Sequence, residues 1–350
     1  MKKRLGNFSI CLLLIGFAFS VWAEEPNANI YQPLSVPVEK GDRFVISGFR
    51  GSVKVIAAPE SRQMTIQLKH VTPKGLPESL KEANDEWLFS LKRDGGKILA
   101  QVGSPQSKSV WTQFLAKPEY MPEFHLIVRG PSMPLVLSWQ SGAVDLQGWK
   151  APVEVTLLDS VSKFSGTEGA LELSQQKGKV TISNHKGPIS LDTYEVSANL
   201  KSIEGDLNVQ NFKGSTSVSG AEGKVAIQSY SGQFEVSKGK GQISFASERG
   251  KIAVSSYEGD LDSETDIGSV RAVLVGQSRV KIKTRQGNVS LRMPDSGANV
   301  NVGSETGYLN VPKHLRFTRL PNLRLMTGRL KGKNSGRVFV RTETGEIKLR

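Results

Sequence analysis

Cysteine is nearly absent from this chain of 350 residues: Cys11 is the only one, and it lies in an N-terminal segment expected to be removed. The remaining chain can form no disulfide and has no thiolate chemistry. Its stability must come from an ordinary buried core. Histidine is almost as scarce. His70, His125, His185 and His314 are the only four, and none stands at metal-ligand spacing from another, so no metal site is expected. The G-x-S-x-G elbow of a serine hydrolase does not occur. The Gly-Gly-x-Gly-x-Asp repeat of a calcium β-roll is missing as well. No catalytic, cofactor or metal residue is therefore assigned.

Long apolar runs are confined to the start, MKKRLGNFSICLLLIGFAFSVWAEE. A basic head, Lys2, Lys3 and Arg4, precedes an apolar stretch from about Ile10 to Val21, and Val21-Trp22-Ala23 is a small-residue cleavage triplet. This is the pattern of a secretory signal peptide cut after Ala23. The run is too short and wrongly flanked for a membrane span. An exported protein in the periplasm, at the cell surface or in the medium is expected.

Acidic residues are missing from one long interval. None occurs between Thr306 and Thr342, and from Gln277 to Arg350 there are 16 Lys plus Arg against 4 Asp plus Glu. The chain from Glu24 to Gly276 is close to neutral, with 27 basic and 29 acidic residues. The basic excess of the mature chain is thus held at its C-terminal end, where it would attract anions.

Glycine is what the sequence has in a regular series. Stepping by nine from 142 to 268 meets 15 positions, of which 12 are glycine; Ala151, Ser160 and Val196 are the exceptions. In the twelve repeats that begin at 169 through 268, the second and fourth residues after the start are apolar at 22 of 24 places. The intervening residues are polar, such as Lys179, Asp206, Asn208, Lys251 and Asp262. That alternation is a half-buried strand, and a fixed repeat of this length is the mark of a solenoid. Two buried side chains cannot offset the entropy of ordering nine residues, so successive strands must stack. Two nine-residue edges would give 18 residues per coil and three would give 27. The recurrence of Tyr194, Phe212 and Tyr230 at intervals of 18 favours the first.

The expected fold is an all-β, single-stranded β-helix or β-solenoid of nine-residue Gly-x-φ-x-φ repeats with an N-terminal β-rich cap. The domain reading is residues 1–23 signal peptide, 24–41 extended lead-in, 42–140 cap, 141–311 solenoid, 312–335 basic insertion and 336–350 closing strands. Within the cap, ESLKEANDEW suggests a short helix. WLFSLKRDGGKILAQV suggests a hairpin turning at Asp94-Gly95-Gly96, and a loop follows with Pro105 and Pro118.

FVISGFRGSVKVIAA, EFHLIVRGPSMPLVLSWQSGAVDLQGW, the Ser-Gly or Lys-Gly strands such as YSGQFEV, and the ending GRVFVRTETGEIKL resemble the bacterial adhesin-type β-helix domain family of unknown function (DUF4097-like). The resemblance covers nearly the whole mature chain from Phe44 onward. It implies a secreted or envelope-associated, non-catalytic solenoid. The basic insertion is not a feature of that resemblance.

The rival reading is a carbohydrate-active parallel β-helix enzyme, a polysaccharide lyase or hydrolase. Such a site needs clustered carboxylates in a groove, and the nearly insertion-free repeats leave little from which to build one. The densest acidic run, Asp260, Asp262, Glu264 and Asp266, reads as a solvated edge. The candidate anion-binding residues are Lys313, Arg316, Arg319, Arg324, Arg329, Lys331, Lys333 and Arg337, which lie among Leu315, Phe317, Leu320, Leu323, Leu325 and Met326. They read equally as strands with basic outer faces. Expected partners are anionic envelope components: lipopolysaccharide, phospholipid or wall polymer. Nucleic acid is a less favoured partner.

Overall fold

The computed structural model describes residues 28–84, 86–276, 278–293, 297–332 and 336–350. The signal-peptide segment and Lys333 lie outside them. Among the described residues the chain is nearly all β, with two short α-helices, Glu78–Asn84 and Lys108–Ala116, and one 3-10 turn, Pro118–Tyr120. The second helix falls where the sequence suggested a loop. Its anchor is Phe114, fully buried, which meets Trp87 edge-on with centroids 5.4 Å apart; Trp87, Phe49 and Trp111 in turn touch one another at 5.2–5.6 Å. Packing rather than local propensity holds these nine residues helical.

The body is a stack of parallel strands. Leu135 lies against Val153, Val153 against Leu171, Leu171 against Ile189 and Ile189 against Leu207, a constant advance of 18 residues. Every one of the 24 repeat positions singled out by their alternation is buried, including the two polar ones, Thr216 and Ser263. They form one continuous hydrophobic core along the stack.

One corner of each tier turns through a residue in the left-handed region. The series runs Gly148, Gly166, Asn184, Ser202, Gly220, Lys238 and Ser256, with φ from 51° to 70°. The nine-step glycines serve another purpose. Gly259 has φ of 136°, and a Cβ there would sit 1.9 Å from the carbonyl oxygen of Gly241 one tier below. Neither the backbone angle nor the tier spacing admits a side chain.

Between Val254 and Tyr257 the register slips. Tyr257 lies against Leu274, an advance of 17, and from Leu261, which lies against Val280, the advance is 19. The acidic run is thereby set beside a basic one. Asp262 pairs with Lys281 and Glu264 with Lys283 in register, Lys281 Nζ lies 2.9 Å from Asp262, and Asp266 is held by Arg285. The run is a cross-strand charge ladder rather than a merely solvated edge.

Both ends of the stack are finished by non-local pairing. At one end, Arg43–Ala57 is a single long strand. It lies between Leu135–Gln147 on one side and Lys97–Val102 with Glu123–Gly130 on the other. Phe89–Asp94 and Gln63–Val71 then add antiparallel strands, and Ala28–Ile30 and Leu34–Pro37 of the lead-in pair with the latter. At the other end, Gly336–Thr344 and Ile347–Leu349 are last in the chain but not last in the stack. They lie between Arg279–Gln286 with Val289–Arg292 and the earlier strands Ala298–Ser304 with Leu309–Asn310. Leu323–Leu330 pairs antiparallel with Ala298–Ser304 and turns back as Arg316–Leu320. Antiparallel cover at both ends occupies backbone groups that a bare parallel stack would leave open.

Candidate functional site

Two surface features stand out: the hairpin Arg316–Leu320/Leu323–Leu330 and a groove along one corner of the stack. In the hairpin, antiparallel partners share a face, so the register sorts the candidate cations. Arg316 lies opposite Thr327, and Arg329 opposite Asn299, on the sheet's outer face. Arg337 joins them, paired with Arg279 and Asn299. Arg319 and Arg324 lie directly opposite each other on the other face. Arg324 donates to the Gly307 carbonyl at 3.4 Å. Lys313 and Lys331 flank the hairpin and are exposed. The seven candidates among the described residues therefore share one end of the stack but not one face of it.

Among the described residues, no carboxylate pairs with Arg316, Arg319, Arg324 or Arg329. Exposed apolar side chains lie among them: Phe317 is 55% exposed and nearby Tyr308 is 78% exposed. Elsewhere cations find partners one tier away, as in Lys186–Glu204 at 2.9 Å and Lys240–Glu258 at 3.6 Å.

The groove has a volume of about 1880 Å³ and was not legible in the repeat pattern. It forms because each tier presents two half-exposed residues at the corner, and because the hairpin turn Leu320–Leu323 rises as a wall at one end. The expectation that these repeats offer little from which to build a cleft is corrected on that point. Its outstanding feature is the stack Tyr194, Phe212 and Tyr230, with centroids 4.8 and 5.0 Å apart and ring planes within 7° of parallel. Beneath run buried polar residues that tie down the corner backbone: Gln175 donates to the carbonyls of Ser160 and Lys177, and Asn211 to that of Val196.

Toward the hairpin the groove is lined by Glu248, Glu264, Asp266, Lys283, Arg285 and Glu343. Of the carboxylates, Asp266 is perturbed, and downward, by its hydrogen bond to the Arg285 guanidinium. A general acid for glycoside cleavage needs the opposite shift. Outside ion pairs, burial lowers the pKa of the Arg341 guanidinium, which lines the groove; the other perturbed groups are interior. Burial lowers the pKa of His185, whose Nδ1 meets Thr167 Oγ1 at 2.8 Å, and raises that of Tyr257 to about 12. Among the described residues no group of three or more His, Cys, Asp or Glu side chains is placed to hold a metal ion.

The family model described as Toastrack DUF4097 matches residues 135–350. The chain belongs to the Toastrack DUF4097 family. The match begins at the first strand of the regular stack and runs through the hairpin to the end of the chain. Solved structures with likeness to the chain include a putative cell adhesion protein from Clostridium sporogenes, at 11% identity and a TM-score of 0.23, covering 91% of this chain and 98% of that one. Another is a putative adhesin from Parabacteroides merdae, at 10% identity and a TM-score of 0.29, covering 92% and 96%. Overlaps this loose carry no functional argument. No curated protein matches.

Proposed function

We propose that this Toastrack protein is an exported, non-enzymatic binding module of the adhesin type, and that its arginine hairpin contacts an anionic phosphate-bearing component of the cell envelope. On this reading each 18-residue advance is one solenoid coil of two nine-residue edges, and the stack is a scaffold that presents its C-terminal end. The observation that carries the proposal is the Arg319–Arg324 juxtaposition. Like charges directly opposite in a sheet are unfavourable, and Arg316 and Arg329 add two more cations without carboxylate partners. An anion bridging Arg319 and Arg324 relieves the repulsion and gains charge-assisted hydrogen bonds. Phe317 and Tyr308 supply apolar surface beside the charge, as an interfacial contact requires.

The test is co-sedimentation with phosphatidylglycerol vesicles, phosphatidylcholine vesicles and lipopolysaccharide. Binding to the first and third, falling steeply with salt, is expected. It should be lost when Arg316, Arg319, Arg324 and Arg329 are all changed to Glu. Undiminished binding by that variant sinks the proposal. Lipopolysaccharide binding without vesicle binding identifies the source of the phosphate.

A further inference from the structure

The corner groove meets the arginine hairpin only at its turn, and its chemistry points elsewhere. It follows the stack axis from the tier of Ser174 to the wall at Leu320–Leu323, so its occupant is elongated. Over the tiers from Ser174 to Tyr230 the lining is amide, hydroxyl and aromatic: Gln176, Gln210 and Gln228 stand beside the three rings, with Asp192 the one charged group there. Carboxylates outnumber cations in the remainder of the groove, which argues against a polyanion.

The rings are stacked on one another, so only their edges and the two phenolic hydroxyls face outward. Tyr194, Phe212 and Tyr230 are 49%, 44% and 40% exposed. Neither hydroxyl has a hydrogen-bond partner among the described residues. Polar groups recur along the groove at the strand spacing, about 4.8 Å, and the two hydroxyls stand two tiers apart, about 9.6 Å. An extended peptide repeats its side chains on one face at about 6.8 Å and falls out of step with that ladder within a few residues. The disaccharide repeat of an extended β-linked glycan matches two tiers.

We propose that the groove binds a neutral, linear, β-linked polysaccharide lying along the stack. The hydroxyls of Tyr194 and Tyr230 and the amides of Gln210 and Gln228 meet successive sugar hydroxyls, and the hairpin turn sets one end of the bound stretch.

Calorimetric titration of the mature chain with cellohexaose, chitohexaose and the two corresponding disaccharides tests this. At least one hexamer should bind, and at least about tenfold more tightly than its dimer, because a dimer covers about two tiers and leaves the polar groups of the other tiers unmet. Changing Tyr194→Phe together with Tyr230→Phe should weaken hexamer binding about tenfold for two lost hydrogen bonds. The thermal midpoint should not move, since the ring stack is kept. Arg316→Glu with Arg319→Glu should leave glycan binding unchanged, which separates this site from the hairpin. No binding of either hexamer, equal affinity for dimer and hexamer, or full affinity in the double Tyr→Phe variant would each overturn the proposal. So would capture of an oligolysine peptide in place of the hexamers.

Discussion

Several cations in the body of the stack meet a carboxylate one tier away; in the C-terminal hairpin an arginine meets an arginine. Lys186 has Glu204, Lys240 has Glu258 and Lys281 has Asp262, whereas Arg319 stands opposite Arg324. The body also buries every inward repeat side chain, while the hairpin leaves Phe317 more than half exposed. One region is locally self-consistent in charge and packing. The other departs from those rules, and departures of this kind mark places kept for function rather than for stability.

The contrast can be broken most severely at the backbone. Gly259→Val should cost more than about 4 kcal/mol, because a buried strand has no room for a Cβ and the backbone angle resists one. Gly328→Val in the hairpin should cost about 1–3 kcal/mol, since the nearest obstacle there is the flexible end of Leu315. Urea unfolding monitored by circular dichroism separates the two. Next in size, Leu207→Ala should destabilise by about 2–5 kcal/mol, and Phe317→Ala by no more than about 0.5 kcal/mol. Equal costs would mean that the hairpin is part of the core.

Charge reversals should then have opposite signs in the two regions. Asp262→Lys places two ammonium groups across a strand pair and should destabilise by about 0.2–1 kcal/mol. Arg324→Glu creates a pair with Arg319 and should stabilise by a similar amount while weakening anion binding. The smallest effect concerns pH. Burial depresses the pKa of His185 in the fold, so the unfolded chain binds that proton more readily. The stability this gives neutral His185 is complete above about pH 6.5 and is lost as pH falls below it. His185→Asn should flatten that acid limb in a series of thermal midpoints, whatever it costs at pH 8.

Much of the body is legible in the sequence because its rules are local. The nine-step glycines mark close tier contacts, the alternating residues face the core, and Tyr194, Phe212 and Tyr230 recur at the tier interval and do stack. The left-handed corner was not legible, because Asn184, Ser202, Lys238 and Ser256 stand in for glycine at that position. Nor were the two ends. Arg43–Ala57 and Gly336–Thr344 each lie between strands distant in sequence, and such pairings leave no local periodicity to read. The partner of the acidic run was hidden by the register slip after Val254, which leaves an advance of 19 from Leu261 onward. The hairpin's composition was plain, but the opposition of Arg319 and Arg324 depends on a register that only the fold supplies. The groove follows from corner residues and a distant turn together, so no single stretch announces it.

The central claim is that placement of the C-terminal arginines, not the net charge of +13, makes this protein an anion binder. The direct measurement compares two variants of equal charge change on phosphatidylglycerol vesicles at several salt concentrations. One carries Glu at Arg316, Arg319, Arg324 and Arg329. The other carries Glu at Lys186, Lys240, Lys281 and Arg285, the paired cations of the body. The account predicts that the first loses binding and its salt dependence while the second keeps most of both, provided each remains folded by circular dichroism. Equal losses would contradict it, because the hairpin would then be no more than its share of the total charge.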